Sequence, residues 1–208
     1  MIGVYDYTVL ATYVSLAFGV SGILAAMNGR VSQALLCLAI SGLLDAFDGR
    51  IARTKKNRTE QEKRFGIQID SLNDVVCFGV LPGVIGASLG SGEWWLRGSV
   101  LFYILAALIR LAYFNVTEEE RQSATNEHRK YYLGVPVTSA AFVAPIFWVL
   151  PLRFGLAPAA PYAVGLTLLG LLFITPLRIP KPGLKGIFCM ILLGTAEVFS
   201  LFYGVMPL

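Results

Sequence analysis

Apolar residues in this chain gather into blocks about as long as a helix needs to cross a bilayer, and most of the charge falls in the breaks between them. A hydrocarbon core about 30 Å thick takes roughly 20 helical residues. The blocks run approximately Tyr7–Met27, Val31–Ala52, Gly66–Leu89, Gly98–Val116, Tyr132–Leu152, Pro161–Leu177 and Leu184–Tyr203, with polar or Pro/Gly-rich stretches between them. This pattern predicts an all-α integral membrane protein, a polytopic helical bundle of about seven spans in a single domain over residues 1–208. Composition excludes the ordinary soluble classes, since 56% of the 208 residues are hydrophobic and only 14% are charged. The first block lacks a basic leader and is longer than a usual signal core, so it is expected to stay as a span.

Cys37, Cys77 and Cys189 lie in separate apolar blocks with no metal-ligand spacing, and they read as buried thiols. Basic residues set the orientation. Arg53, Lys55, Lys56, Arg58, Lys63, Arg64, Arg121, Arg129, Lys130, Arg178, Lys181 and Lys185 occupy the even-numbered loops, against Arg30, Arg97 and Arg153 in the odd ones. Short loops rich in Lys and Arg stay on the cytoplasmic side, which predicts a cytoplasmic N-terminus in a multi-pass protein of the cell membrane.

Asp45, Asp48, Asp70 and Asp74 fall inside apolar helices. Each carboxylate would cost roughly 2.5–3.5 kcal/mol at a helix centre, so they should face a polar cavity. Asp45, Asp48, Gly49 and Ala52 form one helical stripe, and Gly66, Asp70 and Asp74 form another on the next helix. A short cytoplasmic loop makes the two helices antiparallel neighbours, so the four acids converge. Like charges at such spacing need a cation between them, and all-oxygen ligands favour Mg2+, Mn2+ or Ca2+. Gly49 and Ala52 leave room beside the acids, and Arg53 offers a bidentate phosphate contact at the mouth. In-line phosphoryl displacement with an aspartate as base is the chemistry that fits. His128, the lone histidine, lies outside the cluster and reads as a loop residue.

The string Asp45-x2-Asp48-Gly49-x2-Ala52-Arg53…Gly66-x3-Asp70-x3-Asp74 resembles the signature of the CDP-alcohol phosphotransferase family. The resemblance implies a six-helix core and a dinuclear Mg2+ or Mn2+ site between the second and third spans, facing the cytoplasm. It also implies CDP-diacylglycerol as donor, CMP as leaving group and a homodimer. By carry-over, Asp45, Asp48, Asp70 and Asp74 hold the metal, Asp74 also accepts the proton, and Gly49, Ala52, Arg53 and Gly66 contact the CDP-lipid. One departure is the spacer: twelve residues, Thr54 to Phe65, separate Arg53 from Gly66, where the family has a shorter run. Thr59 in that spacer is a small polar residue of the kind that touches the nucleotide in relatives.

Asp70 to Pro82, DSLNDVVCFGVLP, resembles the third helix of the family's bacterial phosphatidylserine synthases, as do IRLAYFNV (Ile109 to Val116) and YLGVPVTSAA (Tyr132 to Ala141). The first span reads TYVSLAFG where relatives carry an Asn. L-Serine is therefore the acceptor implied, with phosphatidylserine as product and no nucleic-acid partner. Arg110, with Asn115 nearby, is either a handle for the acceptor carboxylate or an internal partner of a motif aspartate. A sister reaction on glycerol 3-phosphate or an inositol phosphate would want more basic residues on the helices. A metal or organic-anion transporter would also use intramembrane acids, but no internal repeat supports it.

Overall fold

The computed structural model describes residues 2–124 and 131–180. The expected seventh span, Leu184–Tyr203, lies outside the described residues, as do His128, Arg129, Lys130, Lys181, Lys185 and Cys189. Among those described, four helical stretches are long and apolar enough to cross a membrane: Tyr7–Met27, Val31–Thr54, Glu60–Ser88 and Trp94–Arg121. Shorter apolar helices cover Val137–Arg153 and Ala159–Ile174. The chain is a multi-pass helical membrane protein.

Helix α1, Tyr7–Met27, starts where Asp6 accepts from the Thr8 amide at 2.9 Å, and it ends at Asn28 before Gly29 turns left-handed at φ +72°. That tight turn folds α2, Val31–Thr54, back along α1. Ser41 Oγ of α2 donates to the Ser15 carbonyl of α1 at 3.1 Å, a polar clasp inside the pair.

The third span is one continuous helix in three parts. α3 covers Glu60–Asp74, Val75–Val80 form a widened π-helical turn, and α4 covers Leu81–Ser88. Pro82 explains much of that irregularity, because it cannot donate to the Phe78 carbonyl one turn earlier. Tyr103 of α5 (Trp94–Ala124) supplies the missing donor, its hydroxyl reaching the Phe78 carbonyl at 2.5 Å. Tyr162 of α7 (Ala159–Ile174) caps the Pro82 carbonyl at 3.3 Å. Both phenols are buried, so the helix break is held by the bundle around it.

The expected fifth span is shorter than its apolar block. Tyr131–Leu133 form a strand, β1, paired antiparallel with β2, Arg178–Pro180, and the helical stretch begins only at the 3-10 turn Val137–Ser139 before α6, Ala140–Arg153. Gly134 makes this possible at φ +75°, its amide donating to Leu177 at 2.8 Å. Large apolar side chains such as Leu10, Leu24, Leu101, Leu105, Val164 and Leu168 point outward, as a lipid-facing surface requires.

α6 seats on α2 at Gly42, one turn from Asp45: a Cβ added there would stand 2.7 Å from the Ala141 Cβ. Close backbone approach of this kind is what small residues supply between membrane helices. Gly42→Val is therefore expected to destabilise the protein by about 1–3 kcal/mol through overpacking, read as a lower Tm in detergent. An unchanged Tm would show that α6 does not bear on this face.

Candidate active site

Asp45 and Asp48 project from α2 and Asp70 and Asp74 from α3. The antiparallel run sets Asp45 against Asp74 and Asp48 against Asp70, each pair within reach of a side-chain contact. Yet α2 packs along α1 rather than α3, and α1 also touches α3. The two acid-bearing helices are thus walls of a cleft that side chains cross, and α1 closes its back. This refines the expectation of directly packed neighbours. Small residues at Gly49, Ala52 and Gly66 cannot fill the space, and four acids do not attract one another across it.

Asp45, Asp70 and Asp74 each offer an oxygen, and the three oxygens lie within 4.8 Å of one another. Asp48 and Asp74 are buried, and Asp45 and Asp70 are half-buried. Asp48 Oδ2, Asp70 Oδ1 and Asp74 Oδ1 are inaccessible and accept no hydrogen bond from the described residues. Among the described residues no salt bridge joins these four acids to a Lys or Arg, and Arg50 is exposed. Buried carboxylate oxygens without donors are costly. An all-oxygen donor set with orphaned acceptors fits a hard divalent cation.

Asp74 is held by its neighbours in sequence. Asn73, 3% exposed, donates to Ser15 Oγ of α1 at 3.3 Å and accepts from Cys77 Sγ at 3.3 Å. Gly19 of α1 lets this happen, because a Cβ there would collide with the Cys77 sulfur. The π-helical turn begins at Val75, directly after Asp74, so Asp70 and Asp74 share one face while the continuation of the helix turns a different face to the core. Ser15 lies in the TYVSLAFG stretch of the first span and provides its polar contact to the third span.

Gly49, Ala52 and Arg53 follow the acids along α2, and Gly66 precedes them on α3. Gly49 is exposed, and the nearest atom to a Cβ there would be Arg53 Nη2 at 4.0 Å. Arg53 is exposed at the cleft mouth and Ala52 is half-buried. Gly66 faces Arg58, whose Nη2 would lie 2.6 Å from an added Cβ. Thr59, a candidate nucleotide contact by sequence, is the N-cap of α3: its hydroxyl accepts from the Glu62 amide, and the Glu62 carboxylate accepts from the Thr59 amide.

Arg110 is buried at 6% exposure, donates from Nε to the Val135 carbonyl at 3.2 Å and lies 5.0 Å from the centre of the Phe114 ring. Asn115 accepts from Ser71 Oγ at 2.9 Å, next to Asp70. With Gly79 against Ala107, that bond fixes the antiparallel register of α3–α4 on α5. Arg110 then sits within about two residues, ~3 Å, of the level of Asp74. Ser71, Asn73, Ser15 and Arg58 escaped sequence reasoning. Only the period placing Asn73 and Cys77 four apart hinted at any of them.

Comparison with known proteins adds to this geometry. The family model described as CDP-alcohol phosphatidyltransferase matches residues 8–176. A Helicobacter pylori protein named CDP-diacylglycerol--serine O-phosphatidyltransferase is 32% identical over 130 residues, covering 59% of this chain and 52% of its own. A Mycobacterium bovis protein of the same name is 29% identical over 147 residues, covering 69% and 49%. A Saccharomyces cerevisiae protein, again so named, is 38% identical over 81 residues, covering 38% and 29%. The chain spans about half the length of the bacterial relatives.

Proposed function

Because this chain belongs to the CDP-alcohol phosphatidyltransferase family, we propose that it transfers the phosphatidyl group of CDP-diacylglycerol to L-serine, giving phosphatidylserine and CMP. The observation carrying this reading is the cleft of four aspartates, three of which have a buried oxygen with no hydrogen-bond partner among the described residues. The serine named as acceptor in the bacterial and yeast relatives supports the choice of alcohol.

Asp45, Asp48, Asp70 and Asp74 would hold Mg2+ or Mn2+, two ions by family resemblance, which supply charge to polarise phosphate oxygens and to steady the departing CMP. Asp74 accepts the proton of the serine hydroxyl. The freed oxygen bonds to the phosphorus bearing diacylglycerol as the bond from that phosphorus to the CMP oxygen breaks. Gly49, Ala52 and Gly66 leave the cleft wide enough for the donor, and Arg53 meets its phosphate at the mouth. Arg110, near the depth of Asp74, pairs with the serine carboxylate, and Asn115 steadies that wall through Ser71.

The excess of Lys and Arg in the even-numbered loops supports a cytoplasmic N-terminus and a cytoplasmic cleft mouth. Cytidine then enters from the cytoplasm while the acyl chains stay in the cell membrane, and the chain acts as one transmembrane domain within a homodimer. An acceptor panel tests the reading: CMP release by the purified full chain with CDP-diacylglycerol and serine, glycerol 3-phosphate or an inositol phosphate. Release is expected with serine alone. Release driven by glycerol 3-phosphate instead would keep the transfer chemistry and overturn the acceptor.

A further inference from the structure

The twelve-residue spacer between Arg53 and Gly66 is built rather than slack. Lys55 Nζ bonds Asp6 at 2.7 Å and Glu62 at 2.8 Å, tying the start of α1, the end of α2 and the start of α3 together. Bonding to that ammonium holds the Asp6 carboxyl down to about 2, so the clamp stays ionised at physiological pH. The reciprocal Thr59–Glu62 bonds then fix where α3 begins.

All this pins one side chain, Arg58. Its Nη2 donates to the Glu62 carbonyl at 3.1 Å and lies over the bare backbone of Gly66, while its Nε is buried without a partner among the described residues. Gly66 is one turn, about 6 Å, from Asp70 on the same face of α3. Arg53, whose Nη2 lies nearest Gly49, serves the opposite wall. Two guanidiniums therefore flank the mouth of a carboxylate cleft, each over a glycine, in the layer where a diphosphate would enter.

We propose that Arg58 is a second phosphate-binding residue of the donor site, delivered by the extended loop to close on the nucleotide diphosphate together with Arg53. The proposal rests on the reading that the donor is a CDP-lipid. Guanidinium suits this role because its planar fork meets phosphate oxygens along two N–H directions, and the orphaned Nε is one more donor on that fork. Gly66 is then required to be bare so that Arg58 can lie flat over the cleft wall.

Isothermal titration of the detergent-solubilised full chain with CDP, CMP and cytidine, in Mg2+, tests it. Arg58→Ala is expected to weaken CDP about tenfold or more, to leave cytidine unchanged, and to keep the nucleotide-free Tm. Arg58→Lys should restore part of the loss, since the charge returns without the fork. Gly66→Ala should weaken CDP more in the wild-type background than in Arg58→Ala, because part of the effect of its added methyl comes from displacing Arg58. Unchanged CDP affinity in Arg58→Ala would overturn the proposal. So would a fall shared by cytidine with a lower nucleotide-free Tm, which would make Arg58 a loop strut. Absence of CDP binding by wild type would instead overturn the donor reading itself.

Discussion

Asp74→Asn is expected to lower serine-dependent CMP release by about 10³-fold, within the range for loss of a general base. The side chain is 7% exposed and sits between the Asn73 network and the π-helical turn, so the near-isosteric amide changes chemistry more than packing. An amide cannot accept the hydroxyl proton, and its NH2 group places a donor where an oxygen should meet a cation. Unaltered Tm with lost turnover is the outcome that assigns the role. If Asp74→Asn kept more than a tenth of wild-type turnover, the base would lie elsewhere. Asn73→Ala cannot substitute for this test, because it disturbs the mount instead of the carboxylate.

Removal of divalent metal carries the second large effect. Exhaustive chelation is expected to bring CMP release to background, and Mg2+ or Mn2+ to restore it. Three orphaned carboxylate oxygens and a tight Asp45–Asp70–Asp74 group leave the apo cleft with charge that no described base neutralises. Added metal should therefore also raise Tm, by about 2.7 kcal/mol of stabilisation at 100 times its Kd. Asp70→Asn should shift both curves to higher metal concentration. Full activity in chelator, with no metal-dependent shift in Tm, would dismiss the cleft as a cation site.

Much of this was legible in the sequence because it depends on local period. Blocks of about 20 apolar residues gave the first four spans, and the i, i+3, i+4 spacing of Asp45, Asp48 and Gly49 put them on one face. What escaped depends on partners far along the chain. That α2 lies on α1 follows from the Ser15–Ser41 clasp and from Gly22, against which Cys37 of α2 packs, which no single-helix pattern reveals. The π-helical turn after Asp74 needs Pro82 and a phenol from Tyr103, 21 positions beyond that proline. Tyr132 opened an apolar block yet lies in a strand, because β2 pairs with it and hydropathy cannot distinguish a short strand from the start of a span. The extended loop is legible as a departure in length, whereas the position of Arg58 over Gly66 is not.

Incorporation of labelled serine into lipid by the purified full chain, with CDP-diacylglycerol and Mg2+, tests the central claim most directly. The account predicts label in phosphatidylserine matched one for one by CMP, and none of either when metal is withheld. CMP formed without labelled lipid, or labelled lipid formed equally well in chelator, would contradict it.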